Sequence, residues 1–152
     1  MVRLVLILGD QLSPEIAALQ QADKAHDRVV MAEVADEAGY VPHHPKKIAL
    51  IFAAMRKFAA RLRDEGWQVD YTRLDDKDNA GSIPGELLRR ADQHGTAKVL
   101  ATRPGEWRLI EALQDAPLDL ELLEDTRFIA SHREFHHWAE GRQALRMEEF
   151  YR

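Results

Sequence analysis

The sequence predicts an α/β protein built on a doubly wound, five-stranded parallel sheet with helices on both faces. Five short runs read as strands and alternate with helical stretches, the signature of strand–helix–strand units. The first run, Val2–Leu8, is almost unbroken in apolar residues, as expected of a strand covered on both faces. The third and fifth runs alternate between polar and apolar residues, which marks half-exposed edge strands. Buried first, second and fourth strands with exposed third and fifth strands give the order 3-2-1-4-5, a Rossmann-like sheet. The order 2-1-3-4-5 would put the apolar second strand at an edge.

The elements follow in order. Val2–Leu8 stops at Gly9-Asp10-Gln11, and Ser13-Pro14-Glu15 then supplies an N-cap, a proline at the first helical position and a first-turn acid. That helix is expected to run to about Ala22. Arg28–Val34 is the second strand, and Ala35–Pro45 is read as an eleven-residue loop, long for a strand-to-helix connection. Ile48, Ile51, Phe52, Met55, Phe58, Ala59 and Leu62 recur at helical steps until Gly66. Gln68–Leu74 is the third strand. Gly81-Ser82 opens a helix over Ile83–His94, Ala97–Thr102 is the fourth strand, Glu106–Gln114 a helix, and Leu118–Leu123 the fifth strand. Beyond it, Ser131 and Glu134 form a capping box for a short helix ending at Gly141, and Ala144–Arg152 reads as an amphipathic helix. The division expected is an α/β domain over residues 1–127 and a helical continuation over 128–152.

The chain has 152 residues, of which 31% are charged and 45% hydrophobic, enough for one domain with its own core. No apolar stretch approaches the ~20 residues of a membrane span, and the first residues lack a signal-peptide layout. The expectation is a cytoplasmic protein with no membrane partner. The absence of cysteine removes disulfides, thiol nucleophiles and thiolate-held clusters from this chain. A net charge of -5 argues against this segment itself gripping a phosphate backbone.

In a doubly wound sheet, ligands bind beyond the carboxyl ends of the strands where the strand order reverses. With the order above, that crevice lies between strands one and four. Its walls are expected to be Gly9–Ser13 and Thr102–Trp107, closed by Ala35–Pro45 with Tyr40. Gly9-Asp10-Gln11 is open to two readings, a ligand-facing turn or a tight turn with a capping aspartate. No G-x-G-x-x-G or G-x-x-x-x-G-K-[ST] occurs, so a dinucleotide or P-loop site has no support. His132 and His136 share a helical face, but the acid of H-E-x-x-H is misplaced, and His43-His44 lacks further ligands. Asp75–Asn79 opens like a calcium loop but has Ala80 where the sixth-position glycine belongs. There is no G-x-S-x-G elbow. No catalytic and no metal residue is assigned.

Five segments in this order resemble the photolyase-related protein family, in its prokaryotic cryptochrome/(6-4) photolyase branch with an iron–sulfur cluster. They are Leu8-Gly9-Asp10-Gln11-Leu12, Met31-Ala32-Glu33-Val34, His44–Phe52, Pro104-Gly105-Glu106-Trp107 and Leu145–Arg152. The resemblance spans the chain but only the N-terminal part of the much longer family sequence. It implies an antenna domain that holds 6,7-dimethyl-8-ribityllumazine and passes excitation energy to FAD in a helical C-terminal catalytic domain. That domain would carry FAD, a 4Fe-4S cluster and the DNA contacts, and repair (6-4) photoproducts or act as a photoreceptor. Carried onto this sequence, the pigment is expected over Leu8, Gly9, Asp10 and Gln11, with ribityl hydroxyls on Asp10 or Gln11. Glu33 is expected to accept from the ring or the ribityl chain, Tyr40 to cover it, and Ile48 and Ile51 to floor it. Two other classes stay open: a small-nucleotide-binding α/β module, and a non-catalytic interaction module acting through the aromatic tail.

Overall fold

The computed structural model describes residues 2–152. In chain order its elements are β1 (Leu4–Leu6), α1 (Ala17–Gln21), β2 (Arg28–Ala32), α2 (Ala35–Gly39), α3 (Pro45–Asp64), β3 (Val69–Thr72), α4 (Ile83–His94), β4 (Lys98–Thr102), α5 (Trp107–Gln114), β5 (Asp119–Leu123), α6 (His132–Ala139) and α7 (Met147–Phe150). The five strands form one sheet in the order β3-β2-β1-β4-β5, and every pairing is parallel. The expected order and class are therefore observed. The edge strands β3 and β5 are largely half-buried or exposed, whereas β1 is buried throughout.

Alternation along the central strands divides the core into two layers. Leu4, Leu6, Val30, Ala32, Val99 and Ala101 pack against Ile83 and Leu87 of α4 and Leu109 and Leu113 of α5. Val5, Ile7, Val29, Met31 and Leu100 face the other way, against Ile16 and Leu19 around α1 and Met55, Phe58 and Leu62 of α3. This is the two-face covering that a parallel sheet requires. It also fixes the switch point: α1 and α3 lie on one face, α4 and α5 on the other, and the change of face falls at β1.

Local signals set several helix starts. Ser82 caps α4 by accepting from Gly85 N–H at 3.1 Å, and Gly95 ends that helix in the left-handed region at φ 62°. The capping box at α6 is present, with Ser131 Oγ accepting from Glu134 N–H and Glu134 Oε2 accepting from Ser131 N–H at 2.7 Å.

Three expectations need correction. α1 starts at Ala17, not at Pro14, because Ser13 closes a local turn: its Oγ accepts from Glu15 N–H and its carbonyl from Ile16 N–H. The cap comes from elsewhere, since Thr102 Oγ1 at the end of β4 accepts from Ala18 N–H at 2.9 Å. The 35–45 connection is not wholly a loop: α2 forms there, with Asp36 and Glu37 in its first turn. α3 begins at Pro45, where His44 Nδ1 accepts from Lys46 N–H at 3.1 Å. The amphipathic run at the end forms only the four residues of α7. α6 and α7 meet through aromatic rings, with Phe135 and Trp138 at 5.3 and 5.1 Å from Phe150.

Candidate functional site

A cleft of about 290 Å³ opens over the carboxyl ends of β1, β2 and β4. Its volume lies near the lower bound of ~300 Å³ for small-molecule sites, and its position is the switch point at which such sheets bind ligands. The first turns of α3 supply one wall, through Ile48, Ile51, Phe52 and Met55. Pro104, Gly105, Glu106 and Leu109 supply the facing wall, and Leu8, Gly9, Ala32 and Val34 the base. Glu37, Tyr40, His43 and Lys47 complete the mouth.

At Gly9 the constraint is close approach, not backbone conformation. A Cβ there would stand 3.0 Å from Ile51 Cγ2 and 3.2 Å from Met55 Sδ, so a side chain would press on the α3 wall and take up cleft space. Asp10 stands exposed at the rim, and Arg127 Nη1 donates to its carbonyl at 2.7 Å, tying the segment after β5 to the β1 tip.

Of the residues expected from the sequence, Leu8, Gly9, Asp10, Tyr40, Ile48 and Ile51 line this one cleft. Gln11 and Glu33 do not. Gln11 is buried, and its amide braces two strand ends: Nε2 donates to Thr102 O at 3.1 Å and Oε1 accepts from Leu8 N–H at 3.4 Å. Glu33 is fully buried under α3. Its carboxylate accepts from Arg56 Nε and Nη2 at 2.6 and 2.7 Å, from Tyr71 Oη at 2.6 Å and from Leu74 N–H at 3.1 Å. Burial pushes the Glu33 carboxyl pKa up, but the hydrogen bonds from Arg56, Tyr71 and Leu74 outweigh it and hold it below the ordinary range. Burial, and then the adjacent carboxylate, push the Tyr71 hydroxyl pKa up. Gln11 and Glu33 thus stand behind the cleft lining, each bonded to the backbone or side chains of other elements.

The structure also brings in residues that the sequence reading left unassigned. Glu106 falls within the expected wall Thr102–Trp107 without a role of its own; it lines the cleft and accepts from Tyr40 Oη at 2.9 Å. That bond is the main reason the Tyr40 hydroxyl pKa lies above its usual value. Lys47 and His43 meet at 3.2 Å at the mouth. An acid placed just past a strand tip at the switch point was the available signal for Glu106. For His43 it was its place in Ala35–Pro45, the segment expected to close the crevice.

The family follows from comparison with known proteins. Residues 5–152 match the profile of the deoxyribodipyrimidine photo-lyase-related protein family. The chain belongs to that family. It is also 52% identical, over its whole length, to a (6-4) photolyase of Agrobacterium fabrum (strain C58 / ATCC 33970). The match covers 31% of that relative, so this photolyase-related chain spans about a third of its length. Within the photolyase-related chain, no helix among the described residues is long and apolar enough to cross a membrane.

Proposed function

We propose that this chain is the antenna-pigment domain of a photolyase-related flavoprotein and holds 6,7-dimethyl-8-ribityllumazine in the strand-tip cleft. The observation that carries this reading is the chemistry of the cleft at the switch point. Ile48, Ile51, Met55 and Leu109 present an apolar slot suited to a flat ring, while Asp10, Tyr40, Glu106 and Lys47 stand toward the rim where a polyol chain needs partners. Gly9 keeps the slot open where a Cβ would reach the α3 wall.

When bound, the pigment supplies light absorption and passes its excitation energy to a flavin. The protein's part is to bind, orient and shield it. Leu8, Gly9 and Asp10 lie just beyond β1, in a turn tied back by Gln11 N–H to Leu8 O at 3.0 Å, which favours a fixed ring orientation and hence a fixed transition dipole. Gln11 and Glu33 serve one step back, the first joining the β1 and β4 ends and the second anchoring α3.

In the full-length protein, FAD, a 4Fe-4S cluster and the DNA contacts belong to a helical C-terminal catalytic domain outside these residues. The sequence contains no cysteine with which to hold such a cluster. Residues 128–152 begin the connection to that domain. Repair of (6-4) photoproducts by electron transfer from reduced FAD is the activity favoured by the likeness to a (6-4) photolyase, with a photoreceptor role as its variant. The compartment proposed is the cytoplasm.

The test is a titration with 6,7-dimethyl-8-ribityllumazine followed by fluorescence anisotropy, on this chain and on the full-length protein. Saturable binding that weakens in Asp10→Ala is expected, with no thermal stabilisation by ATP. No binding in either protein overturns the pigment reading. Stabilisation by ATP alone would favour a nucleotide module instead.

A further inference from the structure

We infer that Arg108 is a positioning residue of this site, latching the α2 segment across the cleft mouth to the start of α5 and so gating ligand entry and release. The inference rests on the cleft being the ligand site proposed above, while the latch itself is read from contacts in the protein. Glu37 and Tyr40 lie on one side of the mouth and Glu106 on the other, and all three line the cleft. Arg108 joins them from outside it.

Its Nη2 donates to Glu37 Oε1 and Oε2 at 3.0 and 3.1 Å and to Glu106 Oε2 at 3.1 Å. Its guanidinium carbon stands 4.3 Å from the centre of the Tyr40 ring. Tyr40 in turn donates to Glu106 at 2.9 Å, which closes the circuit. Bridging two carboxylates while laying a flat face against an aromatic ring suits a planar guanidinium better than the compact, strongly hydrated ammonium of lysine.

The segment it holds has little else to hold it. No side chain of α2 is fully buried and only Glu37 and Ala38 are half-buried, so apolar packing holds it weakly. Its backbone tie to the neighbouring loop is Asp36 N–H to Gly81 O at 3.1 Å, on the side away from α5. The latch contacts are partly or largely exposed. Exposed ion pairs are individually weak and are screened by salt. A bridge made only of such contacts opens readily, which suits a gate better than a permanent wall.

The test joins two measurements on the unaltered chain, Arg108→Met and Arg108→Lys. Without ligand, amide hydrogen exchange of residues 36–43 is compared with that of β1 at low and high salt. With 6,7-dimethyl-8-ribityllumazine bound, its release is followed by stopped-flow anisotropy. Arg108→Met is expected to speed both segment exchange and release about three- to tenfold, the range that a few exposed contacts supply. High salt is expected to speed both in the unaltered chain and neither in Arg108→Met, with Arg108→Lys intermediate. Equal exchange over 36–43 in all three proteins overturns the latch. A parallel rise in β1 exchange also overturns it, since the arginine would then support the whole fold. If the lumazine binds neither the unaltered chain nor the full-length protein, the pigment reading falls, and the exchange data still decide the latch.

Discussion

Glu33 and Arg56 form a two-pronged ion pair, at 2.6 and 2.7 Å, in which the carboxylate is wholly buried and the guanidinium about half exposed. The pair joins the tip of β2 to the middle of α3, one turn beyond the cleft residue Phe52 and next to Met55. Tyr71 brings β3 into the same cluster. The α3 wall of the cleft is therefore pinned to the sheet by charge as well as by apolar packing.

Removing one partner of such a pair is worse than removing both, because a lone buried carboxylate remains. Arg56→Leu is expected to lower the urea midpoint, and adding Glu33→Leu to recover part of the loss. If the double variant is no more stable than Arg56→Leu, the stranded carboxylate is not the cause. Tyr71→Phe removes one hydrogen bond to the charge and is expected to cost about 2 kcal/mol.

The buried carboxylates set the acid sensitivity of the fold. Asp27, Glu33 and Glu86 are buried, and each has its pKa below the ordinary value: burial pushes it up, and hydrogen bonds from Arg3, Arg56 and Arg89 respectively lead the groups that outweigh burial. A carboxyl with a lowered folded pKa adds stability above its unfolded pKa and loses it as pH falls through the folded pKa. Unfolding free energy is therefore expected to hold steady near neutrality and to drop with acidification from about pH 4. Urea titrations across that range check it. Glu33→Gln should flatten the drop, and an unchanged slope would remove Glu33 from the account.

Gly9→Ala places a methyl group 3.0 Å from Ile51 and 3.2 Å from Met55. Both neighbours must give by a few tenths of an ångström, the thioether of Met55 more easily than the branched methyl of Ile51. A destabilisation of about 1–2 kcal/mol is expected, as for other added methyl groups in tight sites, together with weaker lumazine binding. Calorimetry with the anisotropy titration separates the two effects. Undiminished affinity would show that the pigment does not lie against Gly9.

Thr102 caps a helix to which it is not local. Thr102→Val keeps the shape but leaves Ala18 N–H without its acceptor in a buried setting. The expected cost is about 1–2 kcal/mol by urea unfolding, with faster amide exchange confined to α1. A cost near zero would mean that α1 finds another acceptor.

The strand order was legible because the edge strands carry their exposure in their own letters. Alternation in Gln68–Leu74 and Leu118–Leu123, against continuous apolar runs elsewhere, suffices to separate rim from centre. Ser82 and Ser131 were legible as caps for the same reason, since donor and acceptor lie three residues apart. Ser13 carried the same local signal and misled, because Thr102, 84 residues from Ala18, supplies that helix's acceptor. Glu33 looked like a ligand residue from its place at a strand tip. Nothing near it in sequence shows that α3 carries Arg56, 23 residues on, directly over it.

By itself the sequence determined the α/β class, the order of the strands and the place of the cleft, because hydrophobic periodicity is internal to each segment and the strand order it implies fixes the switch point. The tertiary structure alone decided which polar groups face that cleft. A buried side chain turns toward whichever partner removes its desolvation penalty, and for Gln11 and Glu33 those partners include groups on other elements; the exposed Tyr40 and Arg108 likewise meet partners that only folding brings within hydrogen-bond reach.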